Sequence, residues 1–408
     1  MNRNISKNLK NIDNKLKIIY CKLSFFAINP INTAKEKEKF FKSKDYEPQF
    51  EYSPYRQNLE LMKKRLKNMK PGKTVMGKIL GEKRDDLFLM ANLLQNRGLN
   101  DFTYYSIQLY DKPNKKLVKE ARKLMKLKKQ KQKATISSKE LVKKMRRAFL
   151  QYGVHWKVRE KEMVAKAAVL GSERELRIKK NEKFSDEIVK RLIVHEVGTH
   201  IMRIENGSEQ PYKLFEYGFP GYLETEEGLA VVNEELNGCL NPRVLRIYAG
   251  RVLAIDKSLQ CSFRETYNYL TKYFDKQLAW KLTLRAKRGV TDTSQPGACT
   301  KDLVYLKGYI DVKNYVQKGG KLENLYYGKI GIQHIEIMDK IPGLVHPYYL
   351  PMFRYFNFIM SYFSKAFTGL MVIGLTPLLF PVSKLLNPKG SKYKSIKKLL
   401  KMNTWLVK

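Results

Sequence analysis

Cysteine is scarce in this chain. Four residues, Cys21, Cys239, Cys261 and Cys299, are scattered through 408 positions with no paired spacing. They support neither a disulfide framework nor a CxxC metal site, which fits a reducing compartment. Acidic residues are also few: 39 Asp and Glu stand against 79 Lys and Arg, a formal charge of +40. A field of that strength favours acidic partners. The basic residues are spread widely, however, and no nucleic-acid motif accompanies them. They read as a lysine-rich solvated surface with no specific nucleic-acid partner. A clean signal peptide is missing as well, because the apolar patch from Ile18 to Ile28 is broken by Lys22 and Ser24 and no small-residue cleavage site follows. A cytoplasmic location is therefore expected. Only five histidines occur, so where they fall carries information.

Two of the five lie in Arg191-Leu-Ile-Val-His195-Glu196-Val-Gly198-Thr-His200-Ile-Met-Arg203. Leu192, Ile193, Val194, Val197, Ile201 and Met202 recur at mostly helical spacing, which predicts a buried helix. A buried carboxylate such as Glu196 is costly unless it is paired or near a metal. Zinc takes imidazole and carboxylate ligands, and its catalytic sites keep three protein ligands plus a water. On a regular helix, residues five apart differ by roughly 140°. A π-bulge would return His200 to the side of His195, and Gly198 offers local backbone freedom for it. Two hydrogen-bonded core histidines beside a solvent-facing Glu196 are the competing reading.

With 43% hydrophobic residues and 25 tyrosines, the chain reads as globular and large enough for two or three packed units. An amphipathic helix is expected over 11–23, a helical unit over 82–110 with a turn at 96–100, and a solvated charged helix over 115–133. A capping box at Ser137-Ser-Lys-Glu140 predicts a helix to Tyr152. Met163–Leu170 and Glu173–Lys179 suit a hairpin around Gly171-Ser172, and Ser185 can cap the histidine-bearing helix. A second buried helix begins at Tyr222-Leu-Glu224-Thr-Glu226-Glu227-Gly228-Leu-Ala230, and one of its three carboxylates is the natural third ligand. Glu224 and Glu227 share a face there, whereas Glu226 points elsewhere.

These motifs resemble the QEGLA-motif metallopeptidases, a family that includes the microtubule-associated tyrosine carboxypeptidases. The matching stretches are His195-Glu196-Val-Gly-Thr-His200, Thr225-Glu-Glu227-Gly-Leu-Ala230, Arg285 to Gly297, and Thr300-Lys301-Asp302-Leu-Val-Tyr305. The resemblance implies one zinc held by His195, His200 and Glu227, with Glu196 as catalytic acid/base. Glu226 stands where the motif has Gln. A carboxypeptidase needs a cation for the terminal carboxylate and a donor for the oxyanion. Arg288 and Lys301 suit the first role and Tyr305 the second, from a segment that also holds Arg285 and Lys287.

The expected fold class is α+β: a mostly helical zinc metallopeptidase with a small sheet before the active-site helix. Its expected parts are a helical region over 1–135, a catalytic domain over 136–355, and a tail over 356–408. The substrate class implied is the C-terminus of a peptide or protein, with an aromatic, tyrosine-like residue removed. Residues 366–383 carry no charge and a basic stretch follows from Lys384. The tail therefore suits contact with an anionic membrane, as a span or an interfacial helix, or else a buried hairpin. A non-hydrolytic membrane-surface or scaffold protein that keeps the fold is the alternative function.

Overall fold

Side-chain caps start many of the helices. Ser137 accepts from the Glu140 amide while the Glu140 carboxylate reaches back to the Ser137 amide at 2.8 Å, so helix Ser138–Tyr152 opens on the expected capping box. Ser185 caps Asp186–Leu192 in the same way, through the Ile188 amide. Each such bond satisfies an amide that the helix itself leaves without a partner. In this computed structural model the described residues are 6–128, 133–163 and 165–351. They are mostly helical with two small sheets, an α+β arrangement. The N-terminal amphipathic helix spans Lys7–Lys22, and the expected unit over 82–110 resolves into Val75–Gln95 and Phe102–Tyr110.

Strand β1 (Ile136–Ser137) pairs antiparallel with β5 (Lys183–Phe184). Three further strands, β2 (Lys157–Lys161), β3 (Ala167–Leu170) and β4 (Glu175–Lys179), form a sheet in the order β2-β4-β3. The expected hairpin is the β3/β4 pair, with Val169 opposite Leu176. The parallel strand β2 on the other side of β4 was not anticipated. Its Val158 lies opposite Leu176, which places apolar residues of all three strands on one face.

The chain from Asp186 to Ser208 is one continuous helix whose middle, Ile193–Ile201, is a π-helix. It packs on helix Tyr222–Leu236, which in turn crosses helix Val304–Gln317 at very close range. Glycine makes that second crossing: a Cβ at Gly308 would collide with the Glu224 carbonyl, and one at Gly228 with the Gly308 carbonyl. The main apolar core runs through these helices and includes Val197, Ile201, Leu229, Val232, Leu306 and Tyr309. A second apolar cluster joins Leu9, Ile12 and Leu16 to the segments around Phe215 and Ile330. Buried Asp13 ties the two ends of that cluster, accepting from the Lys213 amide and from the Tyr217 hydroxyl at 3.1 Å. Burial pushes its carboxyl up to about 6, although these hydrogen bonds oppose the rise.

The apolar run and basic stretch beyond residue 355, and with them the expected membrane contact, lie outside the described residues. Among the described residues no helix is long and apolar enough to cross a membrane.

The glycine crossing is testable. Alanine normally stabilises a helix interior by about 1 kcal/mol relative to glycine, but here its methyl would meet backbone, which no rotamer change relieves. Gly308→Ala is expected to destabilise by about 2 kcal/mol net. Urea unfolding checks this, and an unchanged midpoint would show that the helices can part without loss.

Candidate metal centre

The π-helical turn answers the spacing problem of the two histidines. Hydrogen bonding from i to i+5 brings residues five apart onto one side, and the His195 and His200 rings sit 4.8 Å apart between centroids. The widened turn is held by side chains. Thr199 Oγ1 donates to the Val194 carbonyl at 3.3 Å, and Tyr326 donates its hydroxyl to the Gly198 carbonyl at 2.9 Å. Asn233 of the facing helix donates to both Thr199 Oγ1 and the Tyr326 hydroxyl at 2.7 Å. Gly198 is not among the residues of positive φ. It serves close approach instead, since a Cβ there would come within 3.2 Å of the Tyr152 hydroxyl.

Each imidazole is oriented by a carboxylate. His195 Nδ1 lies 2.7 Å from Glu234 Oε1, and His200 Nδ1 lies 2.7 Å from Glu226 Oε1. An ionised carboxylate only accepts, so both Nδ1 atoms carry the proton and both Nε2 lone pairs face the other way. The carboxylates are themselves paired with arginine. Arg191 Nη1 donates to Glu234 at 3.0 Å. Fully buried Arg203 donates to Glu226 and to the carbonyls of Gly328 and Ile330. Burial raises the Glu226 carboxyl, but Arg203, Lys329 and His200 outweigh it and hold it down to about 2.

On the Nε2 side, ligand atoms of His195, His200 and Glu227 all lie within 4.8 Å of one another. Glu227 Oε2 is 3.3 Å from His195 Nε2 and 3.9 Å from His200 Nε2, yet among the described residues no donor meets that buried oxygen in hydrogen-bond geometry. Two imidazole lone pairs and one carboxylate oxygen aimed at a common point are a donor set that zinc accepts. The electrostatics agree. Burial lowers the pKa of His195, but Glu227, Glu234 and Glu196 crowd it with negative charge and push it up to about 10, so without another cation Nε2 takes a proton that a bound metal would displace. The pocket is short of a cation. Glu196, buried beside His195, makes no hydrogen bond or ion pair among the described residues.

Glu224 drops out as a ligand, because both its oxygens accept from Lys307 Nζ at 2.6 Å. Glu226 does point away from the ligand cluster, and the structure shows where: onto His200 Nδ1. Sequence reasoning missed Glu234, Arg191 and Arg203 altogether. Glu234 had a readable signal, since it follows Glu227 by seven residues and so shares its helix face.

The second group of expected site residues is arranged around Asp302. Arg285 grips both its oxygens, and Arg288 Nη2 donates to Oδ1 at 2.9 Å. These charges hold the Asp302 carboxyl far below its usual range against the effect of burial. Lys287 is no site cation: it is buried and donates to the carbonyls of Ser258, Cys261 and Gln295. Lys301 Nζ sits 3.9 Å from the centre of the Phe25 ring, and burial with the neighbouring Arg288 brings its pKa down to about 8. Tyr305 stacks on Tyr248 at 5.1 Å. Its hydroxyl is pushed up to about 12, first by burial and then by the charge of Glu227, which Arg251 and Arg285 partly offset.

A family profile described as microtubule-associated tyrosine carboxypeptidase matches residues 38–368. The chain is similar to microtubule-associated tyrosine carboxypeptidase 1 of Mus musculus, 38% identical over 128 residues, or 30% of this chain and 27% of that protein. The Rattus norvegicus protein of that name is 34% identical over 152 residues, covering 36% and 32%. Its Homo sapiens counterpart is 35% identical over 133 residues, covering 31% and 27%. The matched stretch thus spans a third or less of the length of these relatives.

The donor set predicts about one zinc per chain by elemental analysis, none after His195→Ala, and weaker retention when an orienting carboxylate is lost. Glu234→Gln is expected to lower zinc affinity by about 10–100-fold, read by competition with a chelating dye. Wild-type protein that takes up no metal would remove the site.

Proposed function

The chain belongs to the microtubule-associated tyrosine carboxypeptidase family, and from that premise we propose that it is a zinc-dependent carboxypeptidase acting on the C-terminus of a peptide or protein. The residue removed would be aromatic, with tyrosine suggested by the relatives' names. The observation that carries this reading is the convergence of two carboxylate-oriented imidazoles and Glu227 on one point, with Glu196, unpaired among the described residues, beside them. Zinc held by His195, His200 and Glu227 would supply Lewis acidity toward the scissile carbonyl and acidify a water in the site.

The chain's own residues would do the rest. Glu196 takes a proton from the attacking water and then passes it to the leaving amine. No side-chain partner among the described residues ties it up, which leaves it free to do both. Tyr305 stays protonated at neutral pH, because its hydroxyl is pushed up to about 12, so it can donate to the developing oxyanion. The cations around Asp302, Lys301 among them, give the substrate's terminal carboxylate a positive wall.

Glu196→Gln is expected to keep zinc and stability while losing about 10²–10⁴-fold in turnover. The assay is mass analysis of a peptide library varied at its last residue. Trimming by a single C-terminal residue that stops when the terminus is amidated supports the exopeptidase. Internal cleavage of capped peptides would make it an endopeptidase, and metal-loaded protein inert on every peptide would favour the non-hydrolytic scaffold.

A further inference from the structure

Arg285 and Arg288 are already bound to Asp302, although Arg288 Nε, like part of Arg251, meets no partner among the described residues. Asp302 Oδ1 accepts from Arg285 Nη2 at 2.8 Å and from Arg288 Nη2 at 2.9 Å, and Oδ2 accepts from Arg285 Nε. A third guanidinium reaches the same carboxylate from another helix, Pro242–Ser258. Arg251 Nε comes no closer than 3.8 Å to Asp302 Oδ2, and among the described residues its buried Nε and Nη1 meet no hydrogen-bond partner. The group lies over the Tyr305 ring, 4.1 Å from its centre, and 5.2 Å from that of Tyr248.

A guanidinium carries five donors, and leaving them unmet in a buried place is costly. Stacking on an aromatic face recovers only part of that cost. The three arginines together carry three positive charges, and among the described residues Asp302 is the single carboxylate in ion-pair contact with them, so two charges have no such partner there. A second carboxylate is what this cluster lacks. The cluster also adjoins the metal ligands, since Tyr305 lies within electrostatic reach of both Glu227 and Arg251. The Arg251 side chain keeps 16% exposure, so it is not sealed off.

We propose that Arg251 is the residue that receives the substrate's terminal carboxylate, while Asp302 holds Arg285 and Arg288 as the frame around it. The stacking on Tyr305 fixes the plane of the guanidinium, and a planar fork grips a carboxylate through two parallel hydrogen bonds. The anchored carboxylate would then lie beside the hydroxyl that meets the oxyanion. This assignment rests on the carboxypeptidase reading and moves the anchor from Arg288 and Lys301, the cations expected from the sequence, to a helix no sequence motif had marked.

The test uses two peptides that differ only in a free or amidated C-terminal tyrosine. Their kcat/KM values are measured with full-length, zinc-loaded wild type, Arg251→Gln, Arg251→Lys and Arg288→Gln. Arg251→Gln is expected to shrink the free-acid preference by about 100-fold, mostly through KM, with Arg251→Lys in between because it keeps charge but not the fork. Equal losses on both peptides, or an unchanged preference, would overturn the assignment. So would a preference that collapses in Arg288→Gln and survives in Arg251→Gln. Should Arg251→Gln fail to fold, Arg251→Lys decides by the same ratio. A parallel arm measures binding of the two peptides to Glu196→Gln protein by fluorescence anisotropy, with and without Arg251→Lys. Free-acid binding weakened by Arg251→Lys upholds the anchor even if no peptide is hydrolysed, and binding indifferent to it rejects the anchor.

Discussion

Charge compensation in a buried place governs this structure. Glu196, Glu226, Glu227 and Glu234 are packed around two imidazoles in a region from which water is largely excluded. An unpaired ionised carboxylate in such a place would cost several kcal/mol. Two of the four are met by arginines, Arg203 on Glu226 and Arg191 on Glu234, and each then fixes one histidine. The pair on the opposite side, Glu227 and Glu196, meets no arginine or lysine in an ion pair among the described residues and faces only the histidines themselves. The uncompensated negative charge is thus concentrated at the point where the Nε2 atoms converge.

Packing puts those groups within reach of one another. The Gly228 and Gly308 crossing lets helix Val304–Gln317 lie directly on the helix that carries Glu226, Glu227 and Glu234. A larger residue at either position would push Tyr305 away from Glu227. On the other side, Asn233 and Tyr326 hold the widened turn that sets the two imidazoles side by side. One helix therefore carries the candidate ligand Glu227, the orienting carboxylates Glu226 and Glu234, and the clamping Asn233. The same fold gathers positive charge around Asp302, so a cationic wall stands beside a pocket short of cations. A substrate that ends in a carboxylate and presents a polarisable carbonyl matches that division.

Much of this was legible along the chain because it depends on local chemistry. The caps at Ser137 and Ser185 follow from side-chain oxygens placed before apolar periodicity. The π-helical turn followed from two histidines at a spacing no regular helix could bring together. The β3/β4 hairpin needed only a turn between two short apolar runs. Strand β2 was missed because its sequence, Lys157-Val-Arg-Glu-Lys161, offers one buried apolar residue and gains its place only by parallel pairing with a later strand.

The sequence by itself determined the residue types of the site: two histidines, a glutamate between them and a cluster of acids opening the next helix. Spacing on one helix carries that information, since the backbone period fixes which side chains share a face. Only the tertiary structure decided among equivalent groups. Lys307 removed Glu224, His200 drew Glu226 to its far side, and Glu227 was left facing the histidines. Asp302 likewise occupied Arg285 and Arg288, and Arg251 arrived from another helix with its Nε and Nη1 unmet among the described residues. Which of several like charges remains unpaired depends on partners far away in the chain, and no local period encodes that.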